Sequence, residues 1–180
     1  SAIGLGCMNI CHAYGSPVTP DAAERLLQKL AARDLPPTLL EIEITEGEWL
    51  QGHPSALPQL RAMAAAGIRI AIDDFGSGYS NFSYLSELPI SLIKIDRSLV
   101  TGMAQSRTAR LKVEAIIKLA RQLGYRTVAE GVENEAELSL LRLWGCDEAQ
   151  GYHLARPMLA EAVAHLVAAC RAGSPADEAG

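Results

Sequence analysis

A chain of 180 residues, 49% hydrophobic and 21% charged, has the composition of a globular domain and enough length to bury one sizeable core. Its net charge of −5 argues against a surface that wraps a DNA or RNA duplex, although a local metal ion can hold phosphate on an acidic protein. The sequence contains no apolar run of about 18 residues and no signal-peptide pattern.

Cys7, Cys11, Cys146 and Cys170 form no C-x-x-C pair and no histidine cluster accompanies them, which argues against zinc. They read as reduced thiols, some filling core space, in a cytoplasmic protein. The chain opens at Ser1 inside an apolar segment and reads as part of a longer protein, with room for a membrane anchor in the remainder.

In chain order, apolar and β-branched runs of about 5–8 residues alternate with helical patterns of about 10–17. Strands are predicted at Ile3–Ile10, Leu39–Thr45, Ile68–Asp74, Leu92–Asp96, Tyr125–Gly131 and Glu148–Leu154. After the first, Thr19 caps a helix with Pro20 at its first position and Ala23, Leu26, Leu27 and Leu30 as its buried stripe. Leu60, Met63 and Ala64 mark the next helix, ended by Gly67. From Arg107 to Leu123 the buried face is predicted as Ile116, Leu119, Ala120 and Leu123, with Gly124 as the stop. Ala136, Leu140, Leu143 and Trp144 form the next predicted stripe, before Gly145. A last helix is expected over about Ala160–Ala169, completing a domain of residues 1–170, and the polar tail of residues 171–180 is expected to be loose.

Alternating strands and helices imply parallel strands. Each of the six predicted strands carries a polar residue: Asn9, Glu43, Asp73 with Asp74, Lys94, Glu130 and Gln150. Most lie toward the C-terminal end of their strand, the rim on which parallel α/β folds build sites. Any one of them could be an ordinary buried and paired side chain. An open sheet cannot bring six such ends together, whereas a barrel turns every strand end toward one mouth. The expected fold is therefore α/β, a TIM-like (β/α) barrel with about six of its eight strands present.

Carboxylates and an amide are hard oxygen ligands, suited to magnesium or manganese. Adjacent Asp73 and Asp74 repel one another, and cations would remove that cost. Two metals about 4 Å apart are a common device for phosphoester hydrolysis. Lys94 then has two readings: a group that neutralises a developing oxyanion or orients the attacking water, or a structural ion pair with Asp73 or Glu130. The segment "GSGYS" lacks the frame of a phosphate-binding loop, and its glycines instead permit a tight turn. Glu46 follows Glu43 by three residues and lies within reach of that turn. His12, His53, His153 and His165 are scattered, and Trp49 and Trp144 read as packing residues.

The segments "LEIEITE", "AIDDFGSGYSNFSYL", "IKIDRSLV", "TVAEGVEN" and "DEAQGYHLARPM" closely resemble, in order and spacing, the EAL family of bacterial cyclic di-GMP phosphodiesterases. The resemblance runs from about Ile3 to about Ala169. It implies a TIM-like barrel with one strand against the others, and hydrolysis of cyclic di-GMP to linear pGpG by two magnesium or manganese ions. It further implies Asn9, Glu43, Asp73, Asp74 and Glu130 as metal ligands, although Cys11 stands where the family's N-x-S segment has serine. Lys94, Glu130 and Gln150 are implied as catalytic residues, and Glu46 as the glutamate that steadies the loop after the aspartate pair. The loop Asp74 to Asn81 resembles the one that leads to the family's dimer interface, which implies a homodimer. A GGDEF or sensor domain is a common companion in such proteins. The E-A-L motif and its nearby arginine, which supply a metal ligand and a phosphate contact, are absent, so the activity of this chain alone is left open. The alternatives are a catalytically inactive module that binds cyclic di-GMP or a protein partner, and an unrelated magnesium-dependent barrel of the enolase kind.

Overall fold

Strand β1 (Glu41–Thr45) pairs in parallel with β2 (Arg69–Phe75), β2 with β3 (Leu92–Ile95), β3 with β4 (Arg126–Ala129), and β4 with the short β5 (Glu148–Ala149). The computed structural model describes residue 28 and residues 32–45, 57–77, 82–159, 161–163 and 168. The predicted strand Ile3–Ile10 with Asn9, the helix after Thr19 apart from residue 28, Glu46, residues 78–81 of the glycine-rich turn and the tail 171–180 lie outside these residues.

The five strands follow one another in sequence order across the sheet. A doubly wound sheet reverses direction at a switch point. None occurs among the described strands, so they form an arc of a singly wound barrel.

Between the strands run α1 (Leu57–Ala65), α2 (Arg97–Val100), α3 (Arg107–Gln122) and α4 (Glu135–Trp144). Ser106 caps α3, its hydroxyl accepting from Ala109 N at 3.3 Å. Asn134 caps α4, its side-chain oxygen accepting from Glu137 N at 3.0 Å, and Gly145 closes that helix at φ 75°. Among the described residues no helix is long and apolar enough to cross a membrane.

The outer faces of the strands and the inner faces of the helices share one apolar cluster, which includes Ile70, Ile72, Ile93, Ile95, Val113, Ile117, Leu138 and Leu141. Ala71, Leu92 and Val128 point to the other face of the sheet and form a separate buried cluster inside the barrel.

Two helix faces differ from expectation. The buried face of α3 is Val113, Ile116, Ile117 and Ala120, and Leu123, one residue past the helix end, is 41% exposed. In α4 the buried core residues are Leu138 and Leu141, with the predicted Leu140 and Trp144 partly buried against the same core, while Leu143 is 78% exposed. The true stripe of α4 contains Glu137, a charged residue that is 1% exposed, and a charge on the core face hides the stripe from a hydrophobic pattern.

Candidate active site

The barrel interior is layered. Ala71, Leu92 and Val128 form the lower layer, and the residues two positions later on the same chain segments are Asp73, Lys94 and Glu130. A strand repeats its face every second residue, so the charged layer stands directly above the apolar one at the C-terminal rim. β1 adds Glu43, whose Cα pairs with Ala71.

Lys94 is the hub of this layer. Its Nζ lies 2.8 Å from Glu43 Oε1, 2.8 Å from Asp73 Oδ1 and 2.9 Å from Glu130 Oε1. The side chain is only 12% exposed. Burial opposes its charge, but the hydrogen bonds it donates to Asp73, Glu43 and Glu130 outweigh that and hold the ammonium well above the ordinary lysine value. The predicted ion pair with Asp73 or Glu130 is thus present with both, and with Glu43 as well.

Strict alternation would send Asp73 and Asp74 to opposite faces of the sheet. The register of β2 against β3 shifts between Ile72 and Phe75, and Asp74 takes a left-handed backbone, φ 54°. With that irregularity, carboxylate oxygens of Asp73, Asp74 and Glu130 come within 4.8 Å of one another. Partial desolvation, followed by the charges of Asp73, Asp96 and Glu130, pushes the Asp74 carboxyl above the ordinary carboxylate range. An all-carboxylate set of like charges gathered this closely fits a hard divalent cation. Glu43, predicted as a further carboxylate ligand, meets Lys94 as Asp73 and Glu130 do, but is not part of that three-carboxylate group.

Gln150 follows β5, its N–H donating to Ala129 O at 2.8 Å and its carbonyl accepting from Val132 N at 3.0 Å. It lines a cavity of about 190 Å³ together with Arg97, Glu130, Gly131, Glu133, Gly151 and Tyr152. The cavity therefore opens beside the carboxylate group, on the β5 side. Arg97 closes part of it through an ion pair with Glu133 at 2.6 Å.

Sequence reasoning missed Asp96, Arg97 and Glu133. Asp96 caps α2, accepting from Ser98 N at 2.9 Å and from the Ser98 hydroxyl, and its charge reaches Asp74. The signal was a capping residue directly after a strand, which reads as local structure. Glu133 stands three residues after Glu130 in "EGVE", just before the helix cap Asn134, where an acidic residue reads as a complement to the helix dipole.

The family model described as the EAL domain matches residues 16–157. A cyclic di-GMP phosphodiesterase of Pseudomonas aeruginosa is 45% identical over 128 residues, 71% of this chain and 22% of the relative. The solved structure of the PaMucR phosphodiesterase in complex with c-di-GMP superposes with a TM-score of 0.74 at 38% identity, over 80% of this chain and 58% of that one. The manganese and cy-diGMP complex of Klebsiella pneumoniae BlrP1 superposes with a TM-score of 0.68 at 36% identity, over 74% of this chain and 34% of that one. The chain thus spans about a fifth of the curated relative's length and up to about three fifths of these structures.

Proposed function

Because the chain belongs to the EAL domain family, we propose that its barrel hydrolyses cyclic di-GMP to linear pGpG in bacterial second-messenger signalling. The observation that carries the reading is the rim layer: three carboxylates within 4.8 Å of one another, beside a lysine bonded to two of them.

Asp73, Asp74 and Glu130 would hold magnesium or manganese, with Glu43 and Asn9 completing a two-metal set. When bound, such cations would lower the pKa of a coordinated water and screen the charge that develops on the phosphate oxygens. Lys94 keeps a full positive charge at the rim throughout the neutral range and stands where a developing oxyanion needs a partner. Gln150 and Arg97, beside Glu130 in the same cavity, supply donors for phosphate oxygens. Glu46 is proposed to steady the loop after the aspartates. A homodimer through that loop, a GGDEF or sensor domain as a regulatory companion in the parent protein, and a cytoplasmic setting with the thiol of Cys146 reduced belong to the same reading.

The test is conversion of cyclic di-GMP by the full-length protein with magnesium or manganese, followed by chromatography. Release of pGpG is expected. Binding without turnover would leave a binding module, and absence of both would overturn the reading.

A further inference from the structure

Glu137 is the most deeply buried charged side chain among the described residues, 1% exposed, and it lies outside the rim layer. It sits in the first turn of α4, where a glutamate commonly reaches back to satisfy a free helix N–H. One of its oxygens does so one residue early, accepting from Glu133 N at 2.9 Å. The other accepts from Gly102 N at 2.7 Å, a residue of the neighbouring β/α unit, 35 positions away. Helix capping has no use for that second bond.

The two bonds tie the loop after α2 to the loop after β4. Further contacts follow the same seam. Thr101 Oγ1 donates to Gly131 O at 3.2 Å, and Arg97 pairs with Glu133 at 2.6 Å. At Gly131, φ 73°, the Arg97 side chain fills the space where a Cβ would stand, with its Cγ 2.2 Å from that point. The backbone immediately after Glu130 is therefore pinned at positions 131 and 133 by the adjacent unit.

We propose that Glu137 is a positioning residue for the metal-binding rim: by bridging Gly102 and Glu133 it holds Glu130 within reach of Asp73 and Asp74. The inference rests on the reading of Glu130 as a metal ligand. It does not depend on which phosphodiester is cleaved.

The experiment is titration of the chain with Mn²⁺, read by calorimetry or by the electron spin resonance of free Mn²⁺, for wild type, E137Q, E137L and T101V. Leucine fills the volume but accepts nothing, whereas glutamine retains one acceptor. E137L is expected to bind Mn²⁺ about tenfold or more weakly, the range found for residues that orient metal ligands, and E137Q, which keeps one bond of the bridge and sets an NH2 against the other N–H, is expected to fall between E137L and wild type. Wild-type affinity in a folded E137L with a lowered Tm would overturn the proposal and leave Glu137 a purely structural residue. If E137L does not fold, T101V decides, because it removes a bond of the same seam at an exposed position. A several-fold loss supports the proposal and an unchanged affinity overturns it. Failure of the wild type to bind Mn²⁺ overturns this proposal and the metal site together. Mn²⁺ binding without turnover of cyclic di-GMP overturns only the proposed reaction.

Discussion

Lys94 and Asp73 hold one another at 2.8 Å across the β2–β3 pair, one layer above the apolar contact of Leu92 with Ala71. The strand period puts the charged pair where it is, and the apolar layer beneath keeps water from one side of it. Because the same ammonium also meets Glu43 and Glu130, three carboxylates share a single cation. The rim therefore retains an excess of negative charge that a divalent ion can take up.

Replacing Lys94 by methionine keeps the aliphatic stem and removes the charge. Turnover of cyclic di-GMP is expected to fall by about 100-fold or more, as when a group that stabilises a transition-state oxyanion is lost. The metal-free protein is expected to lose about 3 kcal/mol of stability, since three partly buried carboxylates are left facing one another. Urea unfolding with and without Mn²⁺ checks this, because the added ion should recover much of the loss. A K94M protein with wild-type turnover would remove the lysine from the reaction.

Asp74 binds its proton more tightly than an ordinary aspartate, through desolvation and the charges of Asp73, Asp96 and Glu130. The sign for metal binding follows: proton and cation compete for the same oxygens, so Mn²⁺ affinity should begin to fall at a pH above the usual aspartate range as acid is added. For the metal-free fold the folded state holds the extra proton, so stability rises as pH is lowered into that window and is lost as pH rises through it. D74N should flatten both profiles and weaken Mn²⁺ by about tenfold or more. Calorimetric titrations across the acid range test the first, and urea midpoints test the second.

Cys146 donates to Glu148 O at 3.1 Å, and burial raises its thiol above the ordinary value. An unfolded thiol ionises near about pH 8.5, so above that pH the folded chain retains a proton that the unfolded chain has lost. Stability should therefore decline as pH rises from that point. Comparison of urea midpoints at about pH 8 and about pH 10 should show a smaller decline in C146A than in wild type. Equal declines would assign the effect to other groups.

Gly151 leaves no room for a side chain: a Cβ there would stand 2.2 Å from Val132 O and 2.3 Å from Val132 N. Backbone atoms cannot rotate aside, so G151A must push the two loops apart. A loss of about 1–3 kcal/mol is expected, with weakened binding of any ligand that enters the cavity beside Gln150. Thermal unfolding gives the first quantity. An unchanged Tm would show that the loops separate freely.

The strands were legible because strands covered on both faces read as apolar runs, and all five described strands begin within two residues of their expected starts. β5 keeps only Glu148–Ala149 of the expected Glu148–Leu154, because the chain turns at Gly151 against Val132. The polar strand ends were equally visible, as departures from those runs. Their mutual arrangement was not. That Glu43 would pair with Lys94 while Asp73, Asp74 and Glu130 gathered depends on register and on the irregularity in β2, neither of which a composition pattern encodes. The seam through Glu137, Gly102 and Thr101 was hidden for a different reason. Its bonds run to backbone groups, and backbone groups carry no residue signature.

The left-handed backbone at Asp74 has a consequence for anyone who would make this chain sturdier. Glycine occupies φ 54° with less strain than aspartate and brings no charge to repel Asp73, so a search for heat resistance would reward Asp74→Gly early. The same exchange deletes a member of the carboxylate group. Ruggedness and ion capture are thus set against each other at one position, and a library sorted on survival alone would return robust barrels with an empty mouth.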